Sequence, residues 1–394
     1  MTTMTRLRTY QGLPILSYGF RPFFLLAALH AALVMLAWLP IFYGELALHS
    51  AFSPVDWHAH EMLYGFLPAV ITGFLLTAIP NWTGRLPIQG APLLALLLVW
   101  IAGRIAVTCS GNIGAIPAAL IDIAFLVLVA AAAAREVLAG KTWGNLKIVA
   151  LLALLIIGNI TFHVESYLSG HAAYGARIGV AAAVLLIMVM GGRIIPSFTT
   201  NWLKRNNPGR LAAPFGSYDR AVLALSGIAL LVWLIAPFGT VTAVALALAG
   251  IANIARLCRW AGDRTTGERL LLILHVAYAF IPLGFLLMAA ASSERLPASA
   301  AIHAWTAGGI GVMTLAVMTR VSLGHTGRAL TASHATQFIY ALIIIAALAR
   351  ITAALVGADS DVLLQLAAFA WIAAFAGFVI VYSGILVTKR RQAA

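Results

Sequence analysis

Two histidines and a carboxylate stand together at Trp57-His58-Ala59-His60-Glu61, where a long apolar run begins. Imidazole is the commonest side-chain ligand for transition metals, and ionisable groups at or inside a bilayer are functional candidates by default. Six of the chain's ten histidines, His49, His58, His60, His163, His171 and His303, fall near one expected face of the membrane. His30 and His275 lie within apolar runs, and His325 and His334 flank a loop. Successive helical residues turn by about 100°, so i and i+2 point about 200° apart. His58 and His60 therefore cannot both reach one ion from a regular helix. Either the turn is unwound there, or the two have different tasks. His58 shares a face with Glu61, and His60 shares another with Tyr64.

Other residues suit the same chemistry. His275 is followed one turn later by Tyr278, and Pro282 can open the helix beyond it. Arg193 and Arg320 each follow a stretch rich in Gly and Met and are expected to end a helix. Glycines admit a neighbouring helix or a flat ligand, and a guanidinium there binds a carboxylate through paired hydrogen bonds. Asp122 falls mid-span, as a proton-relay group or as the partner of a neighbouring polar side chain. Each residue has a plainer reading too: a His bonded to loop carbonyls or a neighbouring helix, an Arg placed for the membrane surface, a Met that packs.

The elements that must position these residues are long and apolar. The 394-residue chain is 62% hydrophobic and 9% charged, more apolar surface than a soluble domain hides. Twelve runs approach the roughly 20 residues that a bilayer requires: Pro22–Tyr43, Trp57–Pro80, Pro92–Cys109, Ile113–Ala134, Leu146–Leu168, Ala172–Pro196, Tyr218–Ala236, Thr240–Trp260, Glu268–Ala291, Ile302–Arg320, Ala335–Val356 and Val362–Val387. Barrel strands would be half as long and would alternate in polarity. The expected fold is an all-α polytopic membrane bundle of twelve transmembrane helices in a single integral domain, 1–394. Two cysteines in separate spans, Cys109 and Cys258, form neither a disulfide framework nor a thiolate cluster. No cleavable leader is read in the first residues.

Lys and Arg set the orientation. With the N-terminus inside, 21 of the 25 basic residues fall at inner ends or connections, including Arg6, Arg8, Arg85, Arg135, Arg328 and Arg391. Arg104, Arg177, Arg295 and Arg350 fall outside. Twelve spans then leave both termini cytoplasmic. The net charge of +13 reads as membrane topology, and no nucleic-acid partner is expected.

A repeat is visible. A shift of 243 residues lays His60 and Thr83-Gly84-Arg85 on His303 and Thr326-Gly327-Arg328, and a shift of 127 lays Arg193 on Arg320. The second, sixth and tenth helices then correspond, which predicts three four-helix units at about 10–140, 145–262 and 266–388. No phosphate-binding loop, nucleophile elbow or zincin motif is present.

Trp57-His58-Ala59-His60-Glu61-Met62, Gly192-Arg193-Ile194-Ile195-Pro196-Ser197-Phe198, Leu274-His275-Val276-Ala277-Tyr278-Ala279-Phe280 and Thr319-Arg320-Val321-Ser322-Leu323-Gly324-His325-Thr326-Gly327-Arg328 resemble the NnrS family. The likeness runs from about Tyr10 to Thr388. It implies a twelve-span bacterial inner-membrane protein that holds haem and copper, acts in the nitric oxide response of denitrifiers and protects against nitrosative stress. Taken with the histidines at two depths, it places a b-type haem between helices, with His275 and one of His60 or His303 as ligands. Arg193 and Arg320 would meet the propionates. Copper would use the outer set His58, His60, His163 and His303. Glu61, Tyr64, His325 and Arg328 are further site candidates. The centre would bind or convert nitric oxide as an oxidoreductase, drawing electrons from a quinol or an external donor. The rival expectation is a transporter or sensor that uses the same His and Arg residues without redox turnover.

Overall fold

The computed structural model describes residues 10–357 and 360–390; Arg6, Arg8 and Arg391 lie outside them. Every regular element among the described residues is helical. Among the described residues, twelve helices are long and apolar enough to cross a membrane. They are α1 (Phe20–Phe42), α2 (Pro54–Thr83), α3 (Ala91–Thr108), α4 (Ala115–Ala139), α5 (Leu146–Ser169), α6 (Ala173–Asn206), α7 (Ser217–Ile235), α8 (Thr240–Cys258), α9 (Arg269–Ser292), α10 (Ala298–His325), α11 (His334–Val356) and α12 (Asp361–Val387). This is a polytopic membrane bundle.

Local chemistry explains the boundaries. Ser53 caps α2 by accepting from the Asp56 amide, with Pro54 at the first helical position, where its missing N–H costs nothing. Gly84 ends α2 and Gly170 ends α5 in the left-handed conformation that glycine adopts without strain. Proline is a poor guide to the inner ends. Pro80 lies inside α2, and α6 runs through Pro196 to Asn206. Arg193 therefore does not end its helix, because a proline inside a packed membrane helix is tolerated when neighbours satisfy the freed carbonyl; Arg320 does not end α10 either, which continues to His325.

Both α2 and α10 change winding. The turn Glu61–Phe66 is π-helical, and so is Ala304–Val312. Each begins one residue after a histidine, His60 or His303. Such insertions rotate the following side chains relative to the preceding ones and recur at functional sites.

The chain divides into two compact units. One holds the described residues up to Ala182, Val321–Ala329 and those from Phe375 onward; the other holds Ala183–Arg320 and Leu330–Ala374. In the first, α2 packs on α1 and α4, and α3 and α4 form an antiparallel pair backed by α5. Arg21 of α1 donates to the carbonyls of Leu386 and Thr388 at the end of α12, at 2.7 and 2.6 Å. In the second, α7, α8, α9, α10 and α11 pack in sequence order. Of all spans, α2, α6, α9 and α10 are the most buried, whereas α4, α7 and α8 present many large apolar side chains outward to lipid.

Candidate metal centre

The strongest concentration of buried polar groups lies in the first unit, where α1 to α5 each contribute to it. The π turn of α2 brings His60 and Glu61 inward together, both fully buried. Nε2 of His60 lies 3.3 Å from Oδ2 of Asp122 on α4 and 2.9 Å from Oδ1 of Asn159 on α5. Nε2 of His163, one helical turn beyond Asn159, lies 3.1 Å from the same Oδ2. One donor atom each from His60, Asp122 and His163 fits within 4.8 Å, and all three residues are buried. Asp122 is eight residues into α4, so at 1.5 Å per residue the cluster is roughly 10 Å from the helix end.

A shell of partners fixes this group. Asn159 donates from Nδ2 to Asp122 Oδ2 at 2.8 Å. Arg104 of α3 spans both carboxylates, giving Nη1 to Glu61 Oε1 at 2.7 Å and Nη2 to Asp122 Oδ1. Glu61 Oε2 lies 2.9 Å from Nε2 of His30 on α1. Phe52 and Phe162 close over the His60 ring at 4.9 and 5.2 Å between centroids, and keep water from the cluster. Two carboxylates against one guanidinium leave a formal charge of −1 among these three groups. A buried site of that sign attracts a cation, and two imidazoles with a carboxylate suit copper or zinc. The donor set fits a single metal ion, which His60, His163 and Asp122 would hold, with Arg104 fixing the Asp122 carboxylate through Oδ1.

Tyr64 is held beside the cluster. Its hydroxyl donates to the Gly175 carbonyl at 2.7 Å, and its ring lies 5.4 Å from that of His60. His58 turns the other way and stacks on Trp38 of α1, with centroids 4.5 Å apart and planes 19° apart. Helical geometry had separated the two histidines, and their surroundings differ accordingly.

The remaining candidates lie elsewhere. His303 bonds the Ser299 carbonyl through Nδ1 at 2.7 Å, within the second unit. His275 presents Nε2 to Thr199 Oγ1 at 3.0 Å, while Nδ1 abuts Gly262. Arg193 is exposed, and Arg320 lies with Cζ 4.4 Å from the ring centre of Phe198. His325 packs in the first unit against Tyr18 and Phe20, at 6.0 and 5.7 Å. Arg328 follows in the turn after α10, its amide donating to the Leu323 carbonyl.

The residues around His275 do not fit a haem. Nε2 faces the Thr199 hydroxyl and Nδ1 abuts Gly262, so neither ring nitrogen faces open space, and Gly284, Gly308 and Gly311 face filled space. A Cβ on Gly308 would lie 2.3 Å from the Phe280 ring, one on Gly311 2.6 Å from Trp371, and one on Gly284 2.3 Å from Trp305. Those glycines serve close packing of aromatic side chains.

Sequence reasoning missed Arg104 and Asn159 and left Asp122 between two roles. A usable signal was present. Arg104 and Asp122 are opposite charges on consecutive apolar helices, and such charges in lipid-spanning segments pair.

Fold and centre together define a polytopic helical membrane protein with a buried His–Asp–His donor set. The chain belongs to the NnrS family: the family model described as "NnrS protein" matches residues 14–390, nearly the whole length. No curated protein matches it.

Proposed function

We propose that this protein acts in the nitric oxide response through a copper ion held by His60, His163 and Asp122. Membership of the NnrS family supports the nitric oxide role. The convergence of three buried ligands within 4.8 Å is the observation that carries the metal. Bound copper would supply a one-electron couple and an open coordination position for nitric oxide or a related adduct.

The protein's own groups prepare that position. Arg104 holds Asp122 and Glu61 apart and fixes the rotamer of each carboxylate. Asn159 meets His60 Nε2 and donates to Asp122 Oδ2, which holds the two side chains together; a metal held by Nε2 would take the place of the Asn159 contact. Phe52 and Phe162 keep the cluster dry, which strengthens every charge interaction inside it. A small uncharged gas can cross such an apolar shell. Electrons for turnover would come from a quinol or an external donor.

The location that goes with this reading is the inner membrane of a bacterium, with both termini cytoplasmic, as the Lys and Arg bias argues. The shared placement of π turns after His60 and His303 supports a common ancestry for α2 and α10 within a three-unit repeat.

Metal analysis of the purified protein tests the proposal. Wild type should carry close to one copper per chain, and His60→Ala and His163→Ala should each lose most of it. Wild-type copper content in both variants would remove the centre and leave the transporter or sensor reading. Exposure of the copper-loaded protein to nitric oxide should change its electron paramagnetic resonance signal.

A further inference from the structure

A second charged site lies at the opposite end of α2, α3 and α4, remote from the metal centre along the helix axes. A cavity of about 700 Å³ opens there, lined by Gly84, Arg85, Gln89, Leu96, Arg135 and Glu136 among others. It sits where α2 ends at Thr83, α3 begins at Ala91 and α4 ends at Ala139, so its mouth is at the level where spans meet lipid headgroups. We infer that this cavity binds the headgroup of an anionic glycerophospholipid.

Charge gives the sign of the ligand. Glu136 is buried, and both arginines reach it: Arg85 Nε donates to Oε2 and Arg135 Nη2 lies 2.9 Å from Oε1. Two guanidiniums against one carboxylate leave a formal charge of +1. Arg85 is half exposed, and its two terminal nitrogens make no hydrogen bond among the described residues. Glu136 holds that guanidinium by Nε, so the pair of terminal nitrogens is aimed as a fork, the geometry that binds two phosphate oxygens. Left-handed Gly84 turns the chain sharply out of α2 and sets Arg85 at the rim.

The lining also selects for more than phosphate. Oε1 of Gln89 is buried and has no hydrogen-bond partner among the described residues. A hydroxyl of a glycerol headgroup can donate to that oxygen, or accept from the amide nitrogen if the amide is turned over. Leu96, Pro92 and Ala132 form an apolar wall below the charges, and exposed Leu86, Leu94 and Leu138 lie nearby. A charged rim above an apolar wall suits an amphiphile whose phosphate meets Arg85 and whose glycerol and acyl stems run down the helices. Free phosphate would use only the rim.

The full-length protein, delipidated in a neutral detergent, provides the test. Phosphatidylglycerol, phosphatidylcholine and inorganic phosphate are each added, and retained lipid is read by native mass spectrometry beside the unfolding midpoint. Phosphatidylglycerol should be retained and should raise the midpoint; the other two should not. Arg85→Gln should weaken retention roughly fivefold, the scale of one basic residue at an anionic surface. Glu136→Gln frees the guanidiniums from their competitor and should strengthen it. Arg135→Gln alters an exposed side chain and serves where the others fold poorly; it should also weaken retention. Equal retention of the two lipids, or wild-type retention in Arg85→Gln and Arg135→Gln, would overturn the site. A midpoint raised as far by inorganic phosphate as by phosphatidylglycerol would overturn the phospholipid assignment in favour of a soluble anion.

Discussion

His60 and His163 present their Nε2 atoms to one oxygen, Oδ2 of Asp122, at 3.3 and 3.1 Å, although they belong to different helices. Their rings meet edge to face at 5.0 Å. Two imidazoles sharing a buried carboxylate oxygen is an arrangement that one cation completes, and it makes Asp122 the hinge of the site. Asp122→Asn keeps the shape and removes the charge. Copper affinity should fall by at least about tenfold, since loss of even an outer partner of a ligand costs roughly 10–100-fold, and the purified variant should carry less copper than wild type. Elemental analysis checks this, and copper retained at wild-type level would show that the carboxylate is not a ligand.

Arg104 should be the residue whose loss harms the fold most. Its guanidinium donates to both Glu61 and Asp122. Arg104→Met leaves two buried carboxylates without their cation, at a cost of about 3–5 kcal/mol. The unfolding midpoint in detergent should drop steeply. Glu61→Gln in the same background should recover part of the loss, because one of the two orphaned charges is then gone.

His58 should be dispensable for metal. Its ring lies flat on Trp38, away from the cluster. His58→Phe keeps the stack and should leave copper stoichiometry unchanged, with stability shifted by less than about 1 kcal/mol. Loss of copper in His58→Phe would place that imidazole among the ligands.

Tyr64 is clamped by two glycines. A Cβ on Gly158 would lie 2.4 Å from the Tyr64 hydroxyl, and one on Gly179 2.6 Å from it. Gly158→Ala should therefore destabilise by about 1–3 kcal/mol, the usual range for overpacking. Tyr64→Phe removes the clashing oxygen and should reduce that penalty. Additive effects in the double-mutant cycle would show that the glycine and the hydroxyl do not interact.

In the second unit, Arg256 is completely buried against Asp219, Nε to Oδ1 at 2.9 Å, and its Nη1 donates to the Tyr278 hydroxyl. Tyr278 in turn donates to Asn253 Oδ1 at 2.8 Å. Tyr278→Phe should cost about 1–3 kcal/mol by leaving two polar groups unmatched in the interior. Metal content should be unaffected, a combination that thermal unfolding and elemental analysis read together.

What the sequence by itself determined is the bundle. Twelve apolar stretches of bilayer length admit few other structures, because a backbone in lipid must satisfy its own hydrogen bonds. Family membership was legible for a related reason: motifs such as Thr319–Arg328 survive in linear order. The separation of His58 from His60 was legible too, since 100° per residue is a property of the helix and not of its neighbours. The end of α6 was not, because proline stops a helix only where nothing else satisfies the freed carbonyl. The centre itself was decided by tertiary structure. Asp122 and His163 lie 62 and 103 residues beyond His60, and no periodicity within a helix reports which faces of α2, α4 and α5 meet. Nor does hydropathy reveal a π turn, which rotates Glu61 inward beside His60, or the pairing of Arg104 with two carboxylates. Those depend on side chains from separate helices finding one another in a medium where an unpaired charge is too costly to leave alone.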